Sequence, residues 1–419
     1  MTVHDVAPGT VDLASHDAFL DGIPHDFFAR LRRSAPVSWH PEQPPRRGFW
    51  CVTKHEDVVA VHKDFRTFSS ELGQVRIEEL TPDEIEARKS MLETDPPRHT
   101  RLRRIVSSFF TPKAVAEYEE YARDVARAVL ERALARRELD FVAEVAAPFP
   151  INVLVRILGA PREDAPRLID LGNRMIAKED PEYSGGVDGA DAGAYRLLPF
   201  GSPAAVELIE YGDWLAGKRR SHPEDDLVSK LVQAEVDGER LSEREFANFF
   251  ALLVIAGNET TRQAISHGML ALVEHPDGLR ELARDPALAP VATEEILRWA
   301  TPVFYFRRTA TRDTELRGVP IRAGDKVVTW YISANFDEDV FADPHRFDVR
   351  RDPNDHLTFG KAGPHYCLGA YLARLEVRVM FEELLPRLAS IDLAGQVERL
   401  RSNFINGIKR MPVRVAVSR

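Results

Sequence analysis

The segment 359–369, FGKAGPHYCLG, constrains the fold more than any other part of this 419-residue chain. Gly360 and Gly363, together with the proline that follows, require an irregular loop rather than a helix or a strand. Gly369 permits close backbone packing before the amphipathic helix predicted in AYLARLEVRVMFEELLPRL. The loop therefore presents the thiol of Cys367 rigidly where a helix begins, and free N–H groups there stabilise a thiolate.

The chain contains two cysteines, Cys51 and Cys367, which lie far apart in the sequence. This number and spacing predict no disulfide framework and no zinc or iron–sulfur site, and they favour a reducing cytoplasm. Cys51 lies in FWCVT among aromatic and β-branched residues, so it is expected to be a buried hydrophobic residue in a strand. Taken alone, Cys367 would be interpreted in the same way, but its loop favours a single axial thiolate ligand for a haem iron.

The composition is that of an ordinary globular protein, with 44% hydrophobic and 29% charged residues. A net charge of −10 argues against attraction to nucleic acid or to anionic membranes. The N-terminus lacks the pattern of a secretion signal and no run of 18 apolar residues occurs, so no membrane anchor is expected. Because no linker-like stretch divides the chain, residues 1–419 are predicted to form one domain.

Hydrophobic periodicity predicts a mainly α-helical chain with small β-sheets. VSWH, GFWCVT, GVPI and KVVTWYI have strand patterns, whereas HEDVVAVHKD and most of residues 111–233 have helical patterns. A Gly-rich stretch within 178–202 indicates a mobile loop between two helices that could act as a lid. A long helix is predicted over 242–274, opened by a capping box of Ser242 and Glu245. The final stretch, NFINGIKRMPVRVAV, predicts a hairpin.

The segment AGNETT lies near the centre of the long predicted helix and places an acid, Glu259, beside an alcohol, Thr260. An alcohol and a carboxylate at one site can hold and replenish a proton. The alternative is that Glu259 is exposed to solvent and that the Thr260 hydroxyl bonds only to the backbone of its own helix. The segment by itself leaves both alternatives open.

Two further pairs of charged residues have helical spacing. Glu295 and Arg298 in EEILRW are three residues apart, which places a carboxylate and a guanidinium on one helix face. His99 and Arg103 in DPPRHTRLRR are four residues apart on a predicted helix. Each of these residues, taken alone, is most often a solvated surface charge.

In combination, these motifs resemble those of the cytochromes P-450. The pattern FG-x-x-G-x-H-x-C-x-G closely resembles the haem-binding loop of that family, with one extra residue between Phe359 and Cys367. This expansion resembles an actinobacterial subgroup that acts on steroids and methyl-branched lipids. The matching motifs follow the family's order from about Asp95 to the C-terminus. The resemblance implies the cytochrome P-450 fold, a triangular helix-rich body with a β-rich lobe.

The resemblance also implies a role for each matching residue. Cys367 would be the axial ligand of haem b, iron protoporphyrin IX, with Phe359 beside it in the loop. Thr260, supported by Glu259, would deliver protons next to bound dioxygen. Four basic residues would pair with the haem propionates: His99, Arg103, Arg308 and His365. Three charged residues would have a structural role: Glu295, Arg298 and Arg346.

The activity implied by the resemblance is that of a haem-thiolate monooxygenase, which inserts one oxygen atom of dioxygen into a C–H bond of a hydrophobic small molecule. Five apolar residues are expected to line the substrate pocket: Val254, Ala256, Val303, Phe304 and Phe404. A steroid or a methyl-branched lipid is the expected substrate, and the alternative is hydroxylation or epoxidation of a polyketide, terpenoid or other secondary metabolite. A peroxide-using haem-thiolate enzyme and a haem carrier or sensor are further alternatives, although the acid–alcohol pair favours oxygen activation.

Electrons for this reaction are expected to come from another protein. The chain contains no P-loop and no dinucleotide-binding fingerprint, so a ferredoxin and an NAD(P)H-dependent ferredoxin reductase are implied. Lys361 and Arg374 lie close to Cys367 in the sequence and are expected to contribute to a docking surface for the acidic partner.

Overall fold

The computed structural model describes residues 11–184, 193–236 and 238–418. Helices dominate these ranges, as the hydrophobic periodicity predicts. The α-helices are α1 (His25–Ser34), α2 (His55–Lys63), α3 (Pro82–Arg88), α4 (Arg98–Val106), α5 (Pro112–Glu117), α6 (Glu119–Ala133), α7 (Pro148–Leu158), α8 (Ala165–Ile176), α9 (Ala204–Ser221), α10 (Leu227–Gln233), α11 (Glu243–Glu274), α12 (Pro276–Arg284), α13 (Ala289–Ala300), α14 (Tyr331–Ala334) and α15 (Ala370–Leu384).

The strands are short and form several small sheets. They are β1 (Val37–His40), β2 (Phe49–Val52), β3 (Phe68–Ser69), β4 (Glu138–Asp140), β5 (Glu235–Val236), β6 (Glu239–Arg240), β7 (Tyr305–Ala310), β8 (Thr314–Leu316), β9 (Val319–Ile321), β10 (Lys326–Trp330), β11 (Leu388–Leu393), β12 (Glu398–Arg399), β13 (Ile408–Arg410) and β14 (Pro412–Val417).

Helix α11 runs through the core and organises the helical part of the molecule. The Ser242 side chain accepts a hydrogen bond from the backbone N–H of Glu245, and the Glu245 carboxylate accepts one from the backbone of Ser242, so the predicted capping box is formed. Most residues of α11 are buried, and the helix packs against α7, α8, α13 and α15. It ends where Pro276 begins the next helix, so the prediction of a long helix over 242–274 is confirmed.

The largest sheet has the strand order β1-β2-β10-β7-β3. Strands β2 and β10 are parallel, and the other neighbouring pairs are antiparallel. Cys51 lies in β2, is 1% exposed, and burial raises the pKa of its thiol to about 12. The prediction of a buried hydrophobic cysteine in a strand is confirmed.

The predicted C-terminal hairpin is wrong. β13 and β14 are separated by Met411 alone, which is too short a connection for a hairpin turn. Instead, β13 pairs with β12, whereas β14 pairs with β11 on one side and β4 on the other. The alternating apolar residues of β14 are therefore used in a central strand of a different sheet.

Two further features bear on the sequence predictions. The Gly-rich connection does join two helices, because α8 ends at Ile176 and α9 begins at Ala204, but its central residues 185–192 lie outside the described residues, and so does the prediction of a lid. Among the helices of the described ranges, none combines the length and the apolar composition that spanning a bilayer requires.

Candidate active site

A cavity lies between α11, the beginning of α15 and the cysteine loop, which we define as residues 359–369. Its wall is mainly apolar, and it also includes Cys367, Thr260 and several basic side chains. The segment 73–93 and the residues just before α9 also contribute to the wall of the cavity. The structure thus brings residues from separate parts of the sequence to one enclosed space, as a small-molecule site requires.

The cysteine loop folds back on itself through backbone contacts. The N–H of Cys367 donates to the carbonyl oxygen of Phe359 over 2.9 Å. Gly360 and Ala362 adopt left-handed backbone conformations with φ of 70° and 56°. A Cβ atom on Gly363 would lie 2.3 Å from the carbonyl oxygen of His62 in α2. The residue that expands this loop is therefore accommodated by left-handed turns and by close packing against α2, which only glycine permits at position 363.

Opposing influences act on the Cys367 thiol. Burial raises its pKa, whereas the backbone N–H of Gly369 and the cationic side chains of Arg103 and Arg374 favour the thiolate. The sulfur faces the cavity rather than the core, since Cys367 is only partly buried and belongs to the cavity wall. This arrangement suits a thiolate that completes its stabilisation by binding a metal in the cavity.

Four basic side chains converge on the same cavity and form what we call the basic cluster: His99, Arg103, Arg308 and His365. The rings of His99 and His365 are 4.2 Å apart between centroids. The Nδ1 atom of His99 and the Nε2 atom of His365 are buried and have no hydrogen-bond partner. Arg308 is 3% exposed, and one of its Nη atoms lies 3.3 Å from the Nδ1 atom of His62.

The electrostatics of the basic cluster favour the binding of an anion. Burial, followed by repulsion from Arg103 and Arg308, lowers the pKa of His99 to about 4, and burial likewise lowers the pKa values of Arg103 and Arg308. In the part of the chain that the structure describes, no carboxylate forms an ion pair with a member of this cluster. Buried cations and ring nitrogens without hydrogen-bond partners suit the two propionates of a haem. The iron of that haem would face Cys367.

Thr260 and Glu259 lie in the wall of the cavity, on α11. The Thr260 hydroxyl donates to the carbonyl oxygen of Ala256 over 2.8 Å. Glu259 is 3% exposed, forms an ion pair with Arg262 and accepts a hydrogen bond from Gln263 over 2.8 Å. The alternative that Glu259 is exposed to solvent is therefore wrong. The hydrogen bond from the Thr260 hydroxyl to the backbone of its own helix is present, and Thr260 also lines the cavity.

Three of the five predicted pocket residues line the cavity, namely Ala256, Val303 and Phe404. Val254 is fully buried on another face of α11, two residues and hence about half a turn from Ala256. Phe304 points away from Val303 because side chains alternate in extended backbone, and its ring stacks on Phe19 with centroids 4.4 Å apart. The structure places Val254 and Phe304 in the core and not in the pocket.

Several lining residues were missed by the sequence predictions. Leu252 lies one helical turn before Ala256, so helical periodicity could have identified it. Ile85 and Phe200 reach the cavity from α3 and from the segment before α9, and no local pattern indicates that they approach α11. The cavity wall also includes Glu376 of α15, a 1% exposed carboxyl group whose pKa burial raises well above its usual value.

The predicted structural ion pair is formed and is completely buried. Two nitrogens of Arg298 bind the Glu295 carboxylate over 2.7 and 2.8 Å, and both side chains are 0% exposed. The predicted third member, Arg346, is wrong, because its side chain is 70% exposed and lies 3.7 Å from Asp348. Arg351 takes that place instead, with its Nε atom 3.1 and 3.2 Å from the two oxygens of Glu295.

The two residues expected at a docking surface are engaged within the chain. Arg374 binds both carboxylate oxygens of Glu294 over 2.7 and 2.9 Å. Lys361 forms an ion pair with Asp355. Each side chain is partly exposed, at 30% for Arg374 and 42% for Lys361.

Comparison with known proteins gives concordant results. A sequence model of the family described as Cytochrome P-450 matches residues 288–404. The chain is 44% identical to a methyl-branched lipid omega-hydroxylase of Mycobacterium tuberculosis, over 98% of this chain and 95% of that protein. It is 39% identical to a steroid C26-monooxygenase of Rhodococcus jostii, over 97% of this chain and 85% of that protein.

Solved structures agree in fold over nearly the whole chain. A cytochrome P-450 from Mycobacterium marinum in complex with pseudoionone superimposes with a TM-score of 0.88 and 41% identity, covering 98% of this chain and 99% of that one. A cytochrome P-450 from Bacillus megaterium in complex with testosterone superimposes with a TM-score of 0.80 and 32% identity, covering 93% and 97%.

Proposed function

The chain belongs to the cytochrome P-450 family, and we propose that its hydrophobic substrate is a methyl-branched lipid or a steroid that it hydroxylates on an alkyl chain. As a member of that family it is a haem-thiolate monooxygenase, which inserts one atom of dioxygen into its substrate. The observation that carries the substrate proposal is the 44% identity, over 98% of the chain, to a methyl-branched lipid omega-hydroxylase. A branched alkyl terminus is the feature that such a lipid and a steroid side chain share.

The haem would be held by residues from three segments, namely α4, β7 and the cysteine loop. The Sγ atom of Cys367 would bind the iron, and the basic cluster of His99, Arg103, Arg308 and His365 would bind the propionates. The support for this assignment is the set of orphaned nitrogens and buried cations described above. When bound, the haem supplies the activation of dioxygen, and thiolate ligation favours cleavage of the O–O bond.

Side chains of α11 would deliver protons into the cavity. Thr260 can donate through its hydroxyl hydrogen, which in this structure is donated to the carbonyl oxygen of Ala256. Both Arg262 and Gln263 bind the Glu259 carboxyl group, so it would orient and replenish water near Thr260 rather than donate directly. The apolar wall around them excludes bulk water from the reacting carbon.

The mainly apolar wall of the cavity favours a hydrophobic substrate. Ala256 lies one helical turn before Thr260 and presents only a methyl group there, and Val303 and Phe404 line the same cavity. Leu252 and Phe200 add further apolar surface to the wall. A branched chain terminus would fit beside Ala256 while the rest of the molecule contacts the outer wall.

The proposal is tested by binding and product analysis. Purified holoprotein is titrated with a methyl-branched fatty acid, a straight-chain acid of equal carbon number, a steroid with a branched side chain and a macrolide. We expect a low-spin to high-spin shift with the branched compounds and terminal alcohols as products. Selective binding and oxidation of the macrolide would instead assign a secondary-metabolite substrate and overturn the proposal. Ala256→Leu is expected to weaken binding of the branched acid, with Lys361→Gln outside the cavity as the matched control.

We also propose that a ferredoxin and its NAD(P)H-dependent reductase supply the electrons and that the protein acts in the cytoplasm, where these carriers occur. The support is the lack of a nucleotide-binding fingerprint in the sequence together with the acid–alcohol pair of α11. Turnover is compared with NAD(P)H, ferredoxin and reductase against turnover with hydrogen peroxide. Efficient product formation with peroxide alone would assign the peroxide-using class and contradict this proposal.

A further inference from the structure

Arg374, on α15, is the centre of a connected set of contacts that reaches the cysteine loop. Its guanidinium binds both oxygens of Glu294 on α13 over 2.7 and 2.9 Å. A third nitrogen lies 3.2 Å from the hydroxyl oxygen of Tyr366. The guanidinium carbon also lies 4.5 Å from the centre of the Phe359 ring, in cation–π geometry.

These contacts connect Arg374 to residues that adjoin or hydrogen-bond Cys367. Phe359 accepts the backbone hydrogen bond of Cys367 over 2.9 Å, and Tyr366 is the residue before Cys367 in the chain. Arg374 therefore touches the loop on both sides of its closing hydrogen bond. Glu294 holds the guanidinium in a fixed plane, because a bidentate carboxylate pair allows little rotation.

A further residue fixes Glu294. The Nε2 atom of His356 lies 3.1 Å from the Glu294 carboxylate, and the Nδ1 atom of His356 accepts the backbone N–H of Thr358 over 3.2 Å. Residues 356–358, which precede Phe359 in the chain, are thereby linked to the same carboxylate. Helix α13, helix α15 and the cysteine loop meet at one charge pair.

We propose that Arg374 is a positioning residue for the cysteine loop, that Glu294 is its anchor, and that it is not primarily a docking charge for the electron donor. A docking charge must be free to meet an acidic partner, whereas both oxygens of Glu294 already occupy this guanidinium. The role belongs to haem-thiolate ligation in general, so it does not depend on which substrate or which ferredoxin is used.

The anchor residue separates the two roles, because they predict opposite effects of Glu294→Gln. For positioning, loss of the Glu294 charge releases Arg374 and loosens the loop, so Glu294→Gln and Arg374→Gln have the same defect. For docking, Glu294→Gln unmasks a cation and strengthens ferredoxin binding, whereas Arg374→Gln weakens it. Arg374→Lys adds a second criterion, because a lysine keeps the charge but cannot bind a carboxylate and lie over a ring in the same geometry.

The experiment follows the thiolate ligand in the holoprotein. Each variant is held in moderate urea, and the fraction of the reduced carbon monoxide adduct that keeps the thiolate-type absorption is recorded with time. We expect Glu294→Gln, Arg374→Gln and Arg374→Lys each to lose this absorption about tenfold faster than the wild type, the effect of one charge-assisted contact. The KM for ferredoxin is measured for the same variants, together with the reduction potential of the haem.

The matched control is Arg378→Gln, which removes another arginine of α15 whose partners, Glu119 and Glu382, lie outside this network. It is expected to leave the rate of thiolate loss unchanged. The proposal is overturned if Glu294→Gln also leaves that rate unchanged, or if it lowers the KM for ferredoxin while Arg374→Lys behaves as the wild type. Should Arg374→Gln fail to take up haem, Glu294→Gln and Arg374→Lys still decide the question.

Discussion

Replacing Arg351 by Ala tests which arginine completes the buried ion pair of Glu295 and Arg298. In the structure, the Nε atom of Arg351 lies 3.1 and 3.2 Å from the two Glu295 oxygens. Its Nη atoms donate to three backbone carbonyls, over 2.7 Å to Ala342, 3.2 Å to Asp343 and 2.8 Å to Arg346. The Arg351 side chain is 10% exposed and Glu295 is 0% exposed, so both charges are largely removed from water.

The magnitude follows from what the substitution leaves behind. Breaking a buried ion pair costs roughly 3–5 kcal/mol because the remaining charge stays buried. Glu295 keeps Arg298 as a partner, so we expect the lower end, about 3 kcal/mol of unfolding free energy, or roughly a 150-fold change in the unfolding equilibrium.

The assay is urea unfolding followed by circular dichroism and by haem absorbance, with Arg346→Ala as the control. Arg346 is 70% exposed, and its nearest acidic group is 3.7 Å away, so its replacement is expected to leave the free energy of unfolding unchanged. If Arg346→Ala proves as destabilising as Arg351→Ala, or more so, the reasoning from burial and geometry is refuted.

Four further predictions concern the candidate site. Thr260→Ala should form much less product per NAD(P)H consumed, since the cavity loses a proton donor, whereas Thr260→Ser should keep the wild-type yield. If Thr260→Ala formed as much product per NAD(P)H as the wild type, Thr260 would have no part in the mechanism. The pKa of His99 is lowered from 6.5 to about 4, chiefly by burial. Between pH 6.5 and about 4, His99 binds a proton in the unfolded chain but not in the folded haem-free protein, so the free energy of unfolding of the haem-free protein should decrease as the pH falls. In urea titrations at several pH values, this decrease should be smaller for His99→Gln. Gly363→Ala should reduce haem retention in gel filtration, because the added Cβ would lie 2.3 Å from the carbonyl oxygen of His62; normal retention would show that the loop can shift. For Cys367, the reduced carbon monoxide adduct should absorb near the wavelength that gives the family its name, and an imidazole-type spectrum would contradict thiolate ligation.

Local sequence determined those features that depend on residues close together in the chain. The capping box of Ser242 and Glu245 and the apolar run that follows were sufficient to predict α11, because helix initiation and helical periodicity are local properties. The glycines around Cys367 likewise predicted an irregular loop before a helix, and the structure has that loop. The spacing of Glu295 and Arg298 predicted their pairing, since residues three apart share a helix face.

Tertiary structure decided how these local pieces are combined. The sequence favoured Arg346 as the third charge and a hairpin at the C-terminus, but a chain reversal after residue 346 brings Arg351 to Glu295, and β14 finds its partners in β4 and β11. Long-range pairing is governed by what the whole fold brings within reach, which no local pattern contains.

The same distinction applies to the cavity. Helical periodicity can assign one face of α11, yet only the packing of α11 against its neighbours shows that Ala256 faces the cavity while Val254 faces the core. The engagement of Arg374 by Glu294 is of this kind, because 80 residues separate them in the chain. One loop and one helix were enough to predict the haem-thiolate class from the sequence. Which charges are buried, paired or left to bind an acidic cofactor follows only from the folded structure, since burial and pairing depend on surroundings that come from distant residues.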